Sequence, residues 1–309
     1  MTLPSYQHVF VVVLENHGYT DVIGNANAPR INRLARMYGL ATNYYGVTHP
    51  SEPNYVALIG GGYFGIQDDA PYSTTVGGVS HTIDASNLAD QLHAAKLTWK
   101  SYQQSLPYPG YTGAYYPSAS NSLYVSKHDP FLNFADIQSN PTRLQQLVPD
   151  TQLLTDLRAS TVPTVSFISP DLCHDMHGGA PSCPKAAQSG DANEARLIRQ
   201  GDDYVGALVH RIIGAPLWTQ GNNAIVITWD ENDSGSAGVT GCCRANPGGS
   251  QVATIVITSF GMRGVRDNTA YNHYALLRTL QDIFHLECLQ NTCDTATVKP
   301  MTLLFAVPT

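Results

Sequence analysis

The run HVFVVVLENHG, His8 to Gly18, constrains the chain more than any other stretch. From Val9 to Leu14 every side chain is apolar, so a strand made of it has no polar face to turn to water. Such a strand belongs in a parallel sheet covered on both sides. Glu15, Asn16 and His17 then follow with no spacer. A buried strand has no use for a carboxylate at its end, so Glu15 and Asn16 read as side chains delivered from the core to a site.

Comparable apolar runs recur in LATNYYGV, TVPTVSFISP, NAIVITWDE and QVATIVITSF. Helical stretches alternate with them. In NAPRINRLARMYG, Asn27 can cap, Pro29 fits the first turn and Gly39 fits the end. PSEPNYVALIGG is a helix entered at Pro50–Ser51, and SNLADQLHAAKL, EARLIRQGDDYVGALVHRII and NHYALLRTLQDIFHL follow. The alternation predicts one α/β domain over residues 1–309, with a mostly parallel central sheet and helices on both faces. Pro107 to Ser126, rich in Tyr, Gly, Ser and Pro, reads as a long surface loop. Gly60, Gly61 and Gly62 match neither phosphate-loop pattern and read as a helix C-cap with a tight turn.

Ligands of such sheets collect at the carboxyl ends of the strands. The chain puts its unusual polar groups there: Glu15-Asn16, then THPSEPN (Thr48 to Asn54), SPDLCHDMHG (Ser169 to Gly178), Asp230-Glu231, and Tyr271-Asn272-His273 at the last helix. Oxygen donors at Glu15, Asn16, Asp230 and Glu231 suit a hard divalent cation. Ser51 opens a helix, where free N–H groups favour an anion and a metal can activate a hydroxyl. The same position also suits a plain N-cap, which spacing alone prefers, and Thr48 is a competing hydroxyl. His128, His174, His177 and His273 lie beside Asp or Asn, where an imidazole can donate to a phosphoryl oxygen or protonate a leaving group. His49 adjoins Ser51 and can orient it. His93, His210 and His285 fall on helix surfaces, and His17 and His81 take no assignment.

Seventeen Lys and Arg against twenty-four Asp and Glu give a net charge of −7, which argues against a nucleic-acid polymer or an anionic membrane as partner. No apolar run reaches the ~20 residues that span a bilayer. The opening MTLPSYQHVF lacks the basic and apolar regions of a signal peptide and reads as a mature secreted chain with an added initiator Met. Six cysteines in close pairs, among them Cys173 with Cys183 and Cys288 with Cys293, predict local disulfides and an oxidising compartment, while the sequence leaves open whether the adjacent Cys242 and Cys243 form a strained vicinal bond.

The motifs VVLENHGYTDVIG, THPSEPNYVALIGG, KHDPFLNF, ISPDLCHDMHG, ITWDEND and YNHYALLRTLQDIF, in this order, resemble the bacterial phosphoesterase family. That family joins acid phosphatases of the acid phosphatase A type with phosphatidylcholine-preferring phospholipases C, and the likeness is greatest to the short secreted acid phosphatases of actinobacteria. The resemblance implies an alkaline-phosphatase-like three-layer α/β/α sandwich. It implies that Ser51 of the Pro-Ser/Thr-x-Pro-Asn motif, which also contains Asn54, is the nucleophile. Glu15, Asn16, Ser51, Asp230 and Glu231 would form the metal site. Asn16, His128 and His177 would stabilise the phosphoryl group, with Asn54, His174, Asp175 and His273 on the substrate side; Asp175 could also serve a second metal.

The resulting expectation is a metal-dependent acid phosphatase working through a phosphoserine, on a small phosphate ester or a phospholipid headgroup. Oxygen ligands favour Mg, Ca or Mn, and nearby histidines admit Zn or Fe. A phospholipase C or other phosphodiesterase on the same scaffold is the alternative; the short chain, without an extra C-terminal domain, favours the phosphatase. A non-catalytic carbohydrate-binding module, suggested by the Tyr-rich loop, is the reading from a different class and needs neither Ser51 nor a metal.

Overall fold

The structure, a computed structural model, describes residues 3–187, 190–233 and 239–307. Among them nine strands form the main sheet: β1 (His8–Leu14), β2 (Gly39–Tyr45), β3 (Trp99–Gln103), β4 (Leu147–Pro149), β5 (Val165–Ser169), β6 (Asn223–Trp229), β7 (Gln251–Thr258), β8 (Arg266–Asp267) and β9 (Tyr271–Asn272). Their spatial order is β8-β2-β7-β6-β1-β5-β3-β4, with β9 also paired to β2. Neighbours run parallel except at β7, which is antiparallel to both β6 and β2. The expected parallel sheet is therefore present with one reversed strand.

β1 and β6 sit side by side in the middle, and Val9 to Leu14 and all of β6 are buried. Each Val, Ile or Leu removed from water there contributes roughly 1.5–3 kcal/mol. Five longer helices cover the sheet: α1 (Pro29–Met37), α2 (Ser51–Gly60), α3 (Thr151–Ala159), α4 (Ala192–Ile213) and α5 (His273–Phe284). α1 packs on α4, and α2 packs on α5, completing a three-layer α/β/α arrangement.

Several local details differ from expectation. Asn27 does not cap α1; it accepts from Arg199 at 2.6 Å. Asp202 of α4 caps α1 instead, taking the N–H groups of Arg30 at 3.2 Å and Ile31 at 2.8 Å. Gly39 opens β2 rather than ending α1, which stops at Met37. The loop from Pro107 to Ser126 contains a short hairpin that pairs Tyr115–Tyr116 with Tyr124–Val125. β4, three residues long, and α3 escape a reading based on long apolar runs. Gly61 does close α2, at φ +72° where only glycine is unstrained, its N–H bonded to the Ala57 carbonyl. The two expected disulfides, Cys173–Cys183 and Cys288–Cys293, are formed, and the adjacent Cys242 and Cys243, open in the sequence, are bonded as well.

Candidate active site

Sheet register builds the first half of the site. Leu14 pairs with Trp229 in the β1–β6 ladder, and the Asp230 N–H donates to the Leu14 carbonyl at 3.0 Å. The next residues, Glu15 and Asp230, therefore leave the sheet side by side, both fully buried. Asn16 then turns the chain at φ +53°, a left-handed conformation that asparagine tolerates. Its N–H donates to Asp230 Oδ1 at 3.0 Å, which fixes that carboxylate.

The second half comes from the start of α2. Ser51 is the first helical residue, Pro50 holds the cap position, and no side chain caps this end. The Ser51 hydroxyl points into the site instead, with Oγ 3.0 Å from Glu15 Oε2 and 3.3 Å from Glu231 Oε1. The N-cap reading of Ser51 thus fails. Thr48, the competing hydroxyl, donates to the His49 carbonyl at 3.2 Å. His49 ion-pairs with Glu231, and Asp69 Oδ1 takes the Glu52 N–H at 2.9 Å, holding the helix start.

Two histidines face Glu15 from the other side. His128 Nε2 lies 3.0 Å from Glu15 Oε1, and His177 Nδ1 lies 3.6 Å from Oε2. The His128 ring stacks on Tyr55, centroids 5.0 Å apart, and its Nδ1 is 3.8 Å from Asp175 Oδ2. Asp175 Oδ1 accepts the His177 N–H at 2.8 Å, so it positions that segment from below.

Four carboxylates, from Glu15, Asp175, Asp230 and Glu231, are thus buried in one place. Burial, then the charges of Glu15 and Glu231, push Asp230 well above the usual carboxylate range. Burial and the Glu15 charge do the same to Asp175, and burial lifts Glu231 to about 7 against the pull of His49. Glu15 alone is held below its ordinary value: burial opposes its charge, but His128, a hydrogen bond from His177 and the Lys127 ammonium outweigh it. Burial lowers His128 to about 4, leaving its ring neutral above that pH.

A divalent cation fits this donor set. Asn16 Oδ1 and Asp230 Oδ2 are buried without a hydrogen-bond partner among the described residues, and Glu15 Oε1 and Glu231 Oε2 are faced only by the His128 and His49 rings. Buried oxygens of like charge are costly unless something positive meets them, and carboxylate and amide oxygens suit Mg, Ca or Mn. Among the described residues, no three His, Cys, Asp or Glu side chains are already poised around a common point as a metal cage.

Three expected substrate contacts are corrected. Asn54 is buried, and its amide is spent on backbone: Oδ1 accepts from Val47 and Thr48, and Nδ2 donates to the Thr48 and Pro50 carbonyls. It shapes the loop that presents Ser51. His273 is fully buried, with Nε2 2.5 Å from the Asp230 carbonyl and Nδ1 3.1 Å from the Tyr44 hydroxyl. It braces the backbone of a site residue. His174 turns away, bonded to Asp171 at 2.8 Å and stacked on Tyr204.

Sequence reasoning misses Lys127, whose Nζ bonds Asp69 Oδ2 at 2.7 Å at the edge of the site. It directly precedes His128, and that adjacency is the available signal. Tyr55, beneath His128, lies in a helix with no polar periodicity to single it out.

A profile of the Phosphoesterase family matches residues 24–287. Phosphatidylinositol-3-phosphatase of Mycobacterium tuberculosis is 32% identical over 92% of this chain and 79% of its own length. An acid phosphatase of Aspergillus fumigatus is 29% identical over 89% of this chain, which spans 54% of that protein. Among solved structures, a protein of the alkaline phosphatase superfamily from Vibrio parahaemolyticus superposes with a TM-score of 0.59 at 12% identity, covering 94% of this chain and 71% of that one. The sulfatase PsFucS1 from Pseudoalteromonas sp. superposes with a TM-score of 0.62 at 14% identity, covering 98% and 72%. These two likenesses establish the alkaline-phosphatase-like fold. The chain belongs to the Phosphoesterase family and is a phosphoric ester hydrolase.

Proposed function

We propose that the chain is a secreted, metal-dependent phosphomonoesterase that works through a phosphoserine at Ser51. The observation that carries this reading is the Ser51 hydroxyl, turned away from its capping role and placed within 3.3 Å of two buried carboxylates. Glu15, Asn16, Ser51, Asp230 and Glu231 would hold the cation. When bound, it would lower the pKa of the hydroxyl and offset charge on the phosphoryl oxygens.

The chain's own residues supply the remaining steps. Ser51 passes its proton to a carboxylate it already touches, and Oγ attacks phosphorus as the ester oxygen departs in line. The α2 N-terminus and the His128 and His177 rings face the transferred group and stabilise its oxygens. His177, with a side chain 19% exposed against 3% for His128, is nearer solvent and placed to protonate the leaving alcohol. Water then cleaves the phosphoserine.

The mycobacterial relative's name makes an inositol lipid headgroup one candidate substrate, and the three disulfides support an oxidising, extracellular setting. No helix among the described residues is long and apolar enough to cross a membrane. The test is hydrolysis of p-nitrophenyl phosphate beside its bis-ester, with wild type and Ser51→Ala, before and after chelation. Monoester turnover lost on chelation and in Ser51→Ala is expected. Preference for the diester would move the assignment to a phospholipase C, and full activity in Ser51→Ala would remove Ser51 as nucleophile.

A further inference from the structure

Tyr55 brings a second hydroxyl from α2 toward the site. It stands four residues after Ser51, one turn along, so the two side chains leave the same stripe of the helix. Tyr55 is fully buried. Its ring lies nearly parallel to that of His128, with centroids 5.0 Å apart and planes 12° from parallel, and it meets Phe167 edge-on at 6.3 Å. Those ring contacts would serve a phenylalanine as well, so packing does not account for the oxygen.

The surroundings of that oxygen are the site itself. Burial, then the charges of Glu15, Asp230 and Asp175, push the hydroxyl well above its ordinary value, so it keeps its proton and remains a donor. It lies near enough to Glu15 for a hydrogen bond to weigh on it, without the alignment of a full one. Asp175 Oδ2 and Asp230 Oδ2 are likewise buried without a hydrogen-bond partner among the described residues. An uncommitted buried donor costs stability that a phenylalanine would not cost. Crowded carboxylates, in turn, gain from a neutral donor that brings no further charge.

Glu15 and His128 are the residues such a donor and such a ring would steady. Glu15 Oε2 is 3.0 Å from Ser51 Oγ, and Glu15 Oε1 is 3.0 Å from His128 Nε2. A donor on this carboxylate limits its rotation, and a ring beneath His128 limits the tilt of the imidazole.

We infer that Tyr55 is a positioning residue of the reaction: its hydroxyl holds the Glu15 carboxylate toward Ser51, and its ring holds the plane of His128. The inference rests on the phosphoserine reading and adds to it a residue that acts through two others without touching substrate.

The test measures kcat and KM for p-nitrophenyl phosphate, inhibition by vanadate and by inorganic phosphate, and the thermal midpoint. Tyr55→Phe keeps the ring and should lower kcat about tenfold with KM within about twofold, because a misplaced base is felt in the transition state more than in binding. Vanadate, which copies five-coordinate phosphorus, should lose about tenfold in affinity there, while inorganic phosphate stays within about twofold. The midpoint should not fall. Tyr55→Leu also frees the His128 plane and should be slower again by about threefold. Tyr124→Phe removes another buried hydroxyl without a partner among the described residues, one set among Asp129, Tyr72 and Tyr111. It should leave kcat within about twofold. Full kcat in Tyr55→Phe, an equal loss for vanadate and phosphate, or the same fall in Tyr124→Phe would overturn the inference and leave the phosphatase standing. Folded Tyr55→Leu no slower than Tyr55→Phe would remove the part assigned to the ring. Turnover of no monoester by wild type would overturn both readings.

Discussion

Ser51 and Glu52 are neighbours in the chain that face opposite ways. In front of Ser51 stand Glu15, Asp230 and Glu231, with one Asp230 oxygen lacking a hydrogen-bond partner among the described residues. Behind it, Glu52 enters an alternating network. His81 lies 3.0 Å from Glu52 Oε1 and 3.3 Å from Asp68 Oδ1, and Asn133 donates to Glu52 at 2.5 Å. Both regions are built from Glu, His, Asp and Asn, buried in the main, with Asp68 at the outer end of the second network half-exposed. The back alternates acid with base and supports the helix start; the front crowds four carboxylates together, where a bound cation would offset their like charge. Residue type does not separate a site from its support; the order of charges does.

Ser51→Ala tests the front with the largest effect. Activity should fall roughly ten-thousand-fold while the thermal midpoint scarcely moves, since only a hydroxyl is lost. Activity within tenfold of wild type would break the contrast. On the other side, Glu52→Ala removes the acceptor that the buried His81 Nδ1 and Asn133 share, leaving His81 only Asp68, and should cost about 3 kcal/mol. For a chain of this size that lowers the midpoint by roughly 10 °C, readable by circular dichroism. An unchanged midpoint would mean the network supports nothing.

Burial outside the site also leaves a pH signature. Asp129 is fully buried, takes a hydrogen bond from Ser101 at 2.9 Å, and is pushed up to about 7 by burial. Its folded pKa lies above the unfolded value of about 4, so the fold favours the protonated form. That contribution is complete below about pH 4 and is lost as pH rises to about 7, a few kcal/mol in all. Midpoints of wild type and Asp129→Asn should therefore diverge between pH 4 and pH 8, with wild type losing more. Parallel curves would contradict the assignment.

Smaller effects sharpen the comparison. Asp230→Asn keeps the acceptor for the Asn16 N–H and removes the carboxyl that burial and its acidic neighbours force to hold a proton. In chelated protein it should raise stability by about 1–2 kcal/mol, even as activity collapses. A fall in the midpoint would show that the front is not under like-charge strain. His174→Ala, outside both regions, should change kcat/KM less than about threefold.

Much of this architecture is legible in the amino-acid order alone. Val9 to Leu14 reads as a central strand because it offers no polar face, and parallel pairing then forces Glu15 and Asp230 together. Ser51 is ambiguous in sequence, because helix position alone cannot say whether a hydroxyl turns back to cap or forward into a site; Pro50 at the cap and Glu15 in reach decide it. The motifs misplace Asn54, His174 and His273 for one reason. A motif shows that a polar side chain is near a site, and only the folded chain shows whether neighbouring groups have already consumed its hydrogen bonds. Asp69 and Lys127 come from segments far apart in sequence and meet through loop packing, which no periodicity encodes.

The most direct test of the central claim is to quench wild-type turnover in acid and map covalent phosphate by peptide mass spectrometry. The account predicts one phosphoryl group on the peptide containing Ser51, at Ser51 itself, and none in Ser51→Ala. Phosphate on Thr48 or on a histidine, or turnover without any covalent species, would contradict it.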